Sequence, residues 1–99
     1  MAKFHLSNKA VEDLDSIWLY TMETWSEDQA DLYYHELVKI CQDIANHPAH
    51  LDKEFKEIMS GLFGHHSNKH WIFYVIVEDG VEIVRILHER MDFGRHFKQ

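Results

Sequence analysis

Ninety-nine residues, 45% hydrophobic and 27% charged, have the size and composition of one ordinary globular domain, which excludes a disordered chain. No apolar run approaches the roughly 20 residues of a membrane span, and the opening MAKFHLSN has no apolar signal core, so no export is expected. Formal net charge is −7, from Lys+Arg 10 against Asp+Glu 17, a poor balance for non-specific nucleic-acid binding, which rests on cations facing phosphates.

Phe4 to Leu6 is a short apolar stretch before Ser7, a residue suited to capping a helix. Ala10, Leu14, Ile17, Trp18, Thr21 and Trp25 then recur at three- and four-residue steps and predict an amphipathic helix over about residues 8 to 24. Ser26 with Gln29 three residues later forms a capping box that opens a second helix. Its apolar stripe is Ala30, Tyr33, Tyr34, Leu37, Cys41 and Ile44, and it stops at Asn46-His47-Pro48 because the residue before a proline avoids helical angles. The short connection makes the two helices an antiparallel hairpin. Trp18, Leu37, Cys41 and Ile44 are expected in the core.

After a loop, Ile58 to Gly64 is a weak strand broken by Gly61 and Gly64, and His70 to Val77 is a strong one. Asp79-Gly80 has the residue types of a two-residue hairpin turn leading into a last strand, Val81 to His88. That turn pairs Tyr74 with Arg85, Ile72 with Leu87 and Trp71 with His88. It leaves both faces of the hairpin apolar. One helical hairpin covers one face, so the other requires the chain's own C-terminal tail or a partner.

Nine histidines raise the question of a metal. His65, His66 and His70 lie close in sequence, but strand neighbours point to opposite faces and no carboxylate or thiol completes a ligand set at usual spacing. No metal or cofactor site is expected. His88 and Glu89 with Ser67 or Ser60 lack the G-x-S-x-G elbow of a hydrolase, and Gly61 and Gly64 open no phosphate-binding helix. The single cysteine, Cys41, cannot form an internal disulfide and reads as a small core residue of a reducing, cytoplasmic compartment.

Arg85 lies in the middle of an apolar strand. One expectation is a cross-strand stack on Tyr74; a compatible one is an arginine shown to a partner's carboxylate or phosphate. The strand then delivers His88, Glu89, Arg90, Met91 and Asp92 to the rim of the sheet. Asp92 is placed to cap a turn over Phe93 to Phe97, which brings Arg95 and His96 beside it. Charge is uneven along the chain: residues 1–50 hold three Lys and nine Asp/Glu, net −6, while residues 51–99 hold seven basic and eight acidic residues, net −1.

The order strand, helical hairpin, three strands, ending in HWIFYVIVEDGVEIVRILHERMD, resembles the ParE toxins of bacterial type II toxin–antitoxin modules, within the RelE/ParE superfamily. The resemblance spans nearly the whole chain and is most specific over Ile72 to Asp92. It implies one ParE-like domain over residues 1–99 of α+β class. A short N-terminal strand and an antiparallel helical hairpin would pack on an antiparallel sheet completed by three C-terminal strands. It further implies a toxin that traps DNA gyrase in its cleaved-DNA state, is neutralised by a ParD-type antitoxin and is not an enzyme.

On that reading Arg85, His88, Arg90, Met91, Asp92, Arg95 and His96 are the expected target contacts. Trp18, Trp25, Tyr33, Tyr34, Trp71 and Phe73 are the expected antitoxin contacts, being aromatics that are awkward in water. The superfamily also holds ribosome-dependent mRNA endonucleases similar to RelE and YoeB, which use a basic cluster and a terminal acid or base. Lys53, Lys56, Arg85, Arg90 and His96 rebuild part of such a set. Trp71, however, stands where the strand arginine would align, and Arg95-His96-Phe97 lacks the terminal tyrosine.

Overall fold

The structure is a computed structural model that describes residues 2–97. Its elements in chain order are β1 (Lys3–Leu6), α1 (Asn8–Thr24), α2 (Glu27–Asn46), β2 (Lys53–Glu54), β3 (Leu62–Ser67), β4 (His70–Val77), β5 (Gly80–His88) and α3 (Phe93–Phe97). The fold is α+β: the hairpin of α1 and α2 lies on a sheet ordered β1-β5-β4-β3-β2. The sheet is mixed rather than wholly antiparallel, because β1 joins β5 in parallel while the remaining neighbours run antiparallel.

Local chemistry sets the helix boundaries as expected. The Ser7 hydroxyl accepts from the Ala10 amide at 3.0 Å and the Ser26 hydroxyl from the Gln29 amide at 3.0 Å, so each helix starts on a satisfied cap. Leu37, Cys41 and Ile44 are buried with Ala10, Leu14, Ile72, Tyr74, Val81, Ile83 and Ile86 in the core between helices and sheet. Trp18 departs from the expectation. It is only half-buried, because its indole N–H turns outward to donate to Asp31 on α2 at 2.9 Å.

The register of β4 and β5 differs from the sequence reading in two ways. Val77 pairs with Gly80, so the turn is Glu78-Asp79 and Gly80 opens β5. Glycine is required there for another reason. A Cβ at Gly80 would collide with the Lys3 carbonyl oxygen, because β1 packs directly against this point and the Lys3 amide donates to the Asp79 carbonyl at 2.9 Å. Farther along, Tyr74 pairs with Ile83 but Phe73 pairs with Arg85, leaving Val84 as an extra residue, a β-bulge. Arg85 therefore does not face Tyr74, and the expected stack between them is absent. The bulge also exchanges two side chains: Ile86 joins the helix-side core and Leu87 the opposite face.

Ile58 and Met59 belong to turns rather than to a strand; β3 starts only at Leu62, after Gly61 has taken a left-handed turn at φ 82°. The second sheet face is covered by the chain itself. Phe55, Leu62, Phe73 and Leu87 are buried there beneath Ile58, Phe93 and Phe97. Thus α3, together with the segment at Phe55, closes the face that the helical hairpin cannot reach.

Arg85 binds the pieces together. Its Nε and a terminal nitrogen each donate to the Asp13 carboxylate of α1 at 2.9 Å, and its other terminal nitrogen donates to the His96 carbonyl of α3 at 3.2 Å. The pair is only 14% and 13% exposed, so removing one partner strands a charge in poorly solvated surroundings. We expect Asp13→Ala to lower stability by about 3 kcal/mol. Asp13→Asn, which keeps an oxygen for the Ile86 amide, should cost less. Urea denaturation measures both; a loss below about 1 kcal/mol for Asp13→Ala, the size of a surface pair, would show that the contact is not structural.

Candidate partner and target surfaces

The strand β5 ends in a turn that its own backbone fixes. The Glu89 amide donates to the Lys69 carbonyl at 2.8 Å, the Met91 amide to the His88 carbonyl at 3.0 Å, and the Arg90 amide to His88 Nδ1 at 3.1 Å. Asp92 then caps α3, accepting from the Arg95 amide at 3.3 Å. This geometry brings Arg90, Met91, Asp92 and Arg95 together as an exposed rim, while His88 and His96 are half-buried. Arg85 lies inside this rim, not on it. Its guanidinium is bonded to Asp13, which raises its pKa, and to the His96 carbonyl, so it supports the surface from beneath.

On the far side of the rim, the Glu89 carboxylate meets His66 Nε2 at 2.8 Å, and that hydrogen bond holds Glu89 below the usual carboxylate range. The His66 ring stacks on Trp71 with centroids 4.9 Å apart. The neighbouring pair His65 and Asp52, at 2.7 Å, belongs to another network. Asp52 accepts from the hydroxyl of buried Tyr74, and that hydroxyl accepts from the Ala49 amide at 2.8 Å. The Tyr74 hydroxyl thereby pins a loop in which Ala49 and Leu51 both have left-handed backbones, and burial with the Asp52 bond raises its pKa. Sequence separation hid this network: Asp52, His65 and Tyr74 lie on three different segments. Among the described residues, no three His, Cys, Asp or Glu side chains converge on a metal position.

The six aromatics expected to meet an antitoxin do not form one surface. Trp25 follows α1 and is 75% exposed, a large apolar ring left in water. Trp18, Tyr33 and Tyr34 are half-buried along the helical hairpin. Trp71 and Phe73 pack in the cluster on the opposite sheet face. Phe73 is completely buried beneath Phe55, Phe93 and Phe97, so it has no surface to offer while α3 is in place. The sequence reading passed over Leu19, Tyr20 and Leu32. All three are exposed on the helices, and their signal is that they fall outside the core stripe.

Tyr33 and His70 join α2 to β4 through a bond of 2.7 Å between the hydroxyl and Nδ1, and the His88 ring meets His70 edge-on at 5.3 Å. Burial, then repulsion from His88, lowers the His70 pKa to about 4 against the pull of Glu89 and Asp13. Near neutrality His70 is therefore uncharged, and its Nδ1 shares one hydrogen bond with the Tyr33 hydroxyl. The Cys41 thiol, pushed up to about 12 by burial, stays protonated and unreactive.

Comparison with known proteins places this geometry. The sequence profile described as "ParE toxin of type II toxin-antitoxin system, parDE" matches residues 4–93. The chain is similar to Toxin ParE1 of Caulobacter vibrioides, 35% identical over 96 residues that cover 97% of this chain and 98% of the relative. It is similar also to Toxin ParE1 of Mycobacterium tuberculosis, at 32% over 96 residues, 96% and 97% of the two chains. Among solved structures, one described as the chromosomal ParDE TA system from P. aeruginosa superposes with a TM-score of 0.70 at 18% identity, covering 89% of this chain and 96% of that one. One described as the toxin–antitoxin complex RelBE2 from M. tuberculosis superposes at 0.68 and 17%, covering 88% and 96%. At such identities the two structures show the shared fold.

The titration of His70 has a consequence for stability. Between about pH 6.5, where the free imidazole titrates, and about pH 4, the unfolded chain takes up a proton that the folded chain refuses. Stability should therefore fall as pH drops through this window. His70→Gln, which keeps a hydrogen-bonding group for Tyr33, should show a shallower fall. Urea midpoints across the window test this; parallel curves for the two proteins would refute it.

Proposed function

The chain belongs to the ParE toxin family of type II toxin–antitoxin systems, and on that basis we propose that it is a cytoplasmic toxin that inhibits DNA gyrase. It traps the cleaved-DNA complex by surface contact with the protein and is held inactive by a ParD-type antitoxin. The contact runs through the rim at the end of β5, where Arg90, Met91, Asp92 and Arg95 are exposed on a backbone-locked turn beside His88 and His96. Rigid presentation of mixed charge around one methionine suits recognition of a protein surface, since little conformational entropy remains to be lost. The antitoxin contact runs over the helical hairpin through Trp18, Trp25, Tyr33 and Tyr34, with Trp71 reached from the other sheet face and Phe73 supporting it from within.

The observation that carries the non-enzymatic reading is the position of Arg85. RNA cleavage needs cations directed at the phosphate on which charge develops, and this arginine is directed inward at Asp13. Lys53, another member of the basic set, has its ammonium 4.5 Å over the Phe55 ring. Trp71 occupies the strand position that the ribosome-dependent endonucleases give to arginine. His70 is acidic enough to be a weak base near neutrality.

Supercoiling and cleavage assays with purified toxin and gyrase test this directly. Cleaved plasmid should accumulate with wild type and with His96→Ala. Arg90→Glu, which reverses an exposed charge without touching the core, should weaken inhibition by about tenfold or more. Arg85→Glu is unsuitable because it would set two carboxylates against each other in the fold. Primer extension on a translated message examines the other class: cleavage by wild type that falls by roughly a hundredfold in His96→Ala, the usual share of a general acid or base, would replace the gyrase reading with an endonuclease.

A further inference from the structure

The net charge of the chain resides entirely in its helical hairpin. Residues 8–46 hold two lysines and nine Asp/Glu, net −7, while the remainder holds eight basic and eight acidic side chains and is neutral. The fold engages few of these acids: Asp13 meets Arg85, and Asp31 accepts from Trp18.

Four of the others form a pattern. Leu19 and Leu32 each follow one partner of the Trp18–Asp31 bond, and they are 50% and 54% exposed on the outer sides of α1 and α2. Each leucine has an exposed carboxylate four residues before it and another four residues after it: Asp15 and Glu23 around Leu19, Asp28 and Glu36 around Leu32. Residues four apart on a helix are surface neighbours about 5–6 Å apart. Each helix therefore presents a column of acid, leucine, acid. The Trp18–Asp31 bond holds the two columns side by side, and exposed Trp25 stands at the turn where they meet. Among the described residues, none of the four carboxylates forms an ion pair.

Acidic side chains on an outer helix face ordinarily serve solvation. Here they bracket apolar side chains on both helices in the same order, and among the described residues no intramolecular cation pairs with them. We propose that this face docks a cationic amphipathic helix of the antitoxin, with apolar side chains on Leu19, Leu32 and Trp25 and with Lys or Arg on both flanks meeting the four carboxylates. A helix fits better than a strand, because only a helix shows a central apolar stripe with cations on either side at once; side chains on one face of a strand form a single row. The inference rests on the antitoxin reading above and adds the chemistry of the docking segment.

Two labelled synthetic amphipathic helices with the same leucine stripe, one flanked by lysines and one by glutamates, serve as probes of the full-length toxin. The lysine peptide should bind and the glutamate peptide should not. Binding should weaken by about tenfold or more from about 0.1 M to about 1 M salt, as the Debye length falls from about 10 to about 3 Å. The double variant Glu23→Lys/Glu36→Lys should reverse the preference, and Leu19→Ala/Leu32→Ala should weaken it by about tenfold. Glu23 lies in the last turn of α1, where a cation suits the helix dipole, so the charge variant should melt no lower than wild type. Should it melt lower, the leucine variant with the salt series decides.

Equal binding of the two peptides, or binding unchanged by salt and by both double variants, would overturn the proposal. Titration of the antitoxin encoded beside the toxin separates this inference from its premise. An antitoxin that binds wild type but ignores salt and the charge reversal leaves the antitoxin reading intact and removes the cationic helix. An antitoxin that does not bind at all removes the premise, and the docking chemistry then stands or falls on the peptide comparison.

Discussion

The carboxylate of Asp13 repairs a gap that β5 would otherwise leave open. Strand β1 covers the outer edge of β5 only as far as Ile83. Just beyond, the bulge at Val84 bends the strand and turns the Ile86 amide outward with no strand to receive it. Asp13 accepts that amide at 2.9 Å while taking two bonds from Arg85, and the Ser7 hydroxyl donates to the Val84 carbonyl at 2.8 Å. One acid on the second turn of α1 thus supplies what a neighbouring strand would have supplied. Because Arg85 also holds the His96 carbonyl, the same contact reaches α3.

That arrangement explains how so small a chain buries both faces of its sheet. The helical hairpin covers one face. The other holds Phe55, Phe73, Trp71, Phe93 and Phe97 in edge-to-face contacts between 4.9 and 6.2 Å, geometries that the ring quadrupoles favour. A five-residue helix has too few internal hydrogen bonds to persist alone. It stays because Phe93 and Phe97 are anchored below and Arg85 and Asp92 grip its two ends. Gly64 makes the covering possible: a Cβ there would press into the Phe55 ring.

The two proposed contact surfaces inherit their characters from these two layers. Where the sheet ends, basic and acidic side chains alternate around Met91 on a rigid turn. On the helix side, acid dominates and apolar side chains protrude between the carboxylates. The two proposed contacts thus lie on faces of different chemistry, so under that proposal a segment that covers one face need not imitate the ligand of the other. Exposed aromatics such as Trp25 carry a large area for few rotatable bonds, which suits them to this use.

Much of this was legible in the residues. Apolar period, the serines at 7 and 26 and the proline at 48 determined two helices to within a residue, because capping and helix-period burial act over a few neighbours. The apolar character of both faces of the last hairpin announced that something beyond the helices must cover the sheet. Likeness of HWIFYVIVEDGVEIVRILHERMD to the ParE toxins pointed to the family that the comparisons establish. The remainder came from contacts between distant segments. Placing Gly80 in the turn was reasonable by local propensity, yet its role is set by the backbone of Lys3, seventy-seven positions away. The bulge at Val84 has no local mark; it exists because Ser7 and Asp13 receive the groups it frees, and with it went the facing of Arg85, Ile86 and Leu87. Local pattern was enough for the two long helices, for the two strands of the last hairpin and for which residues are apolar enough to be buried. Which face each late-strand residue takes, and whether an arginine looks outward to a partner or inward to Asp13, depended on contacts between segments that no short-range pattern records.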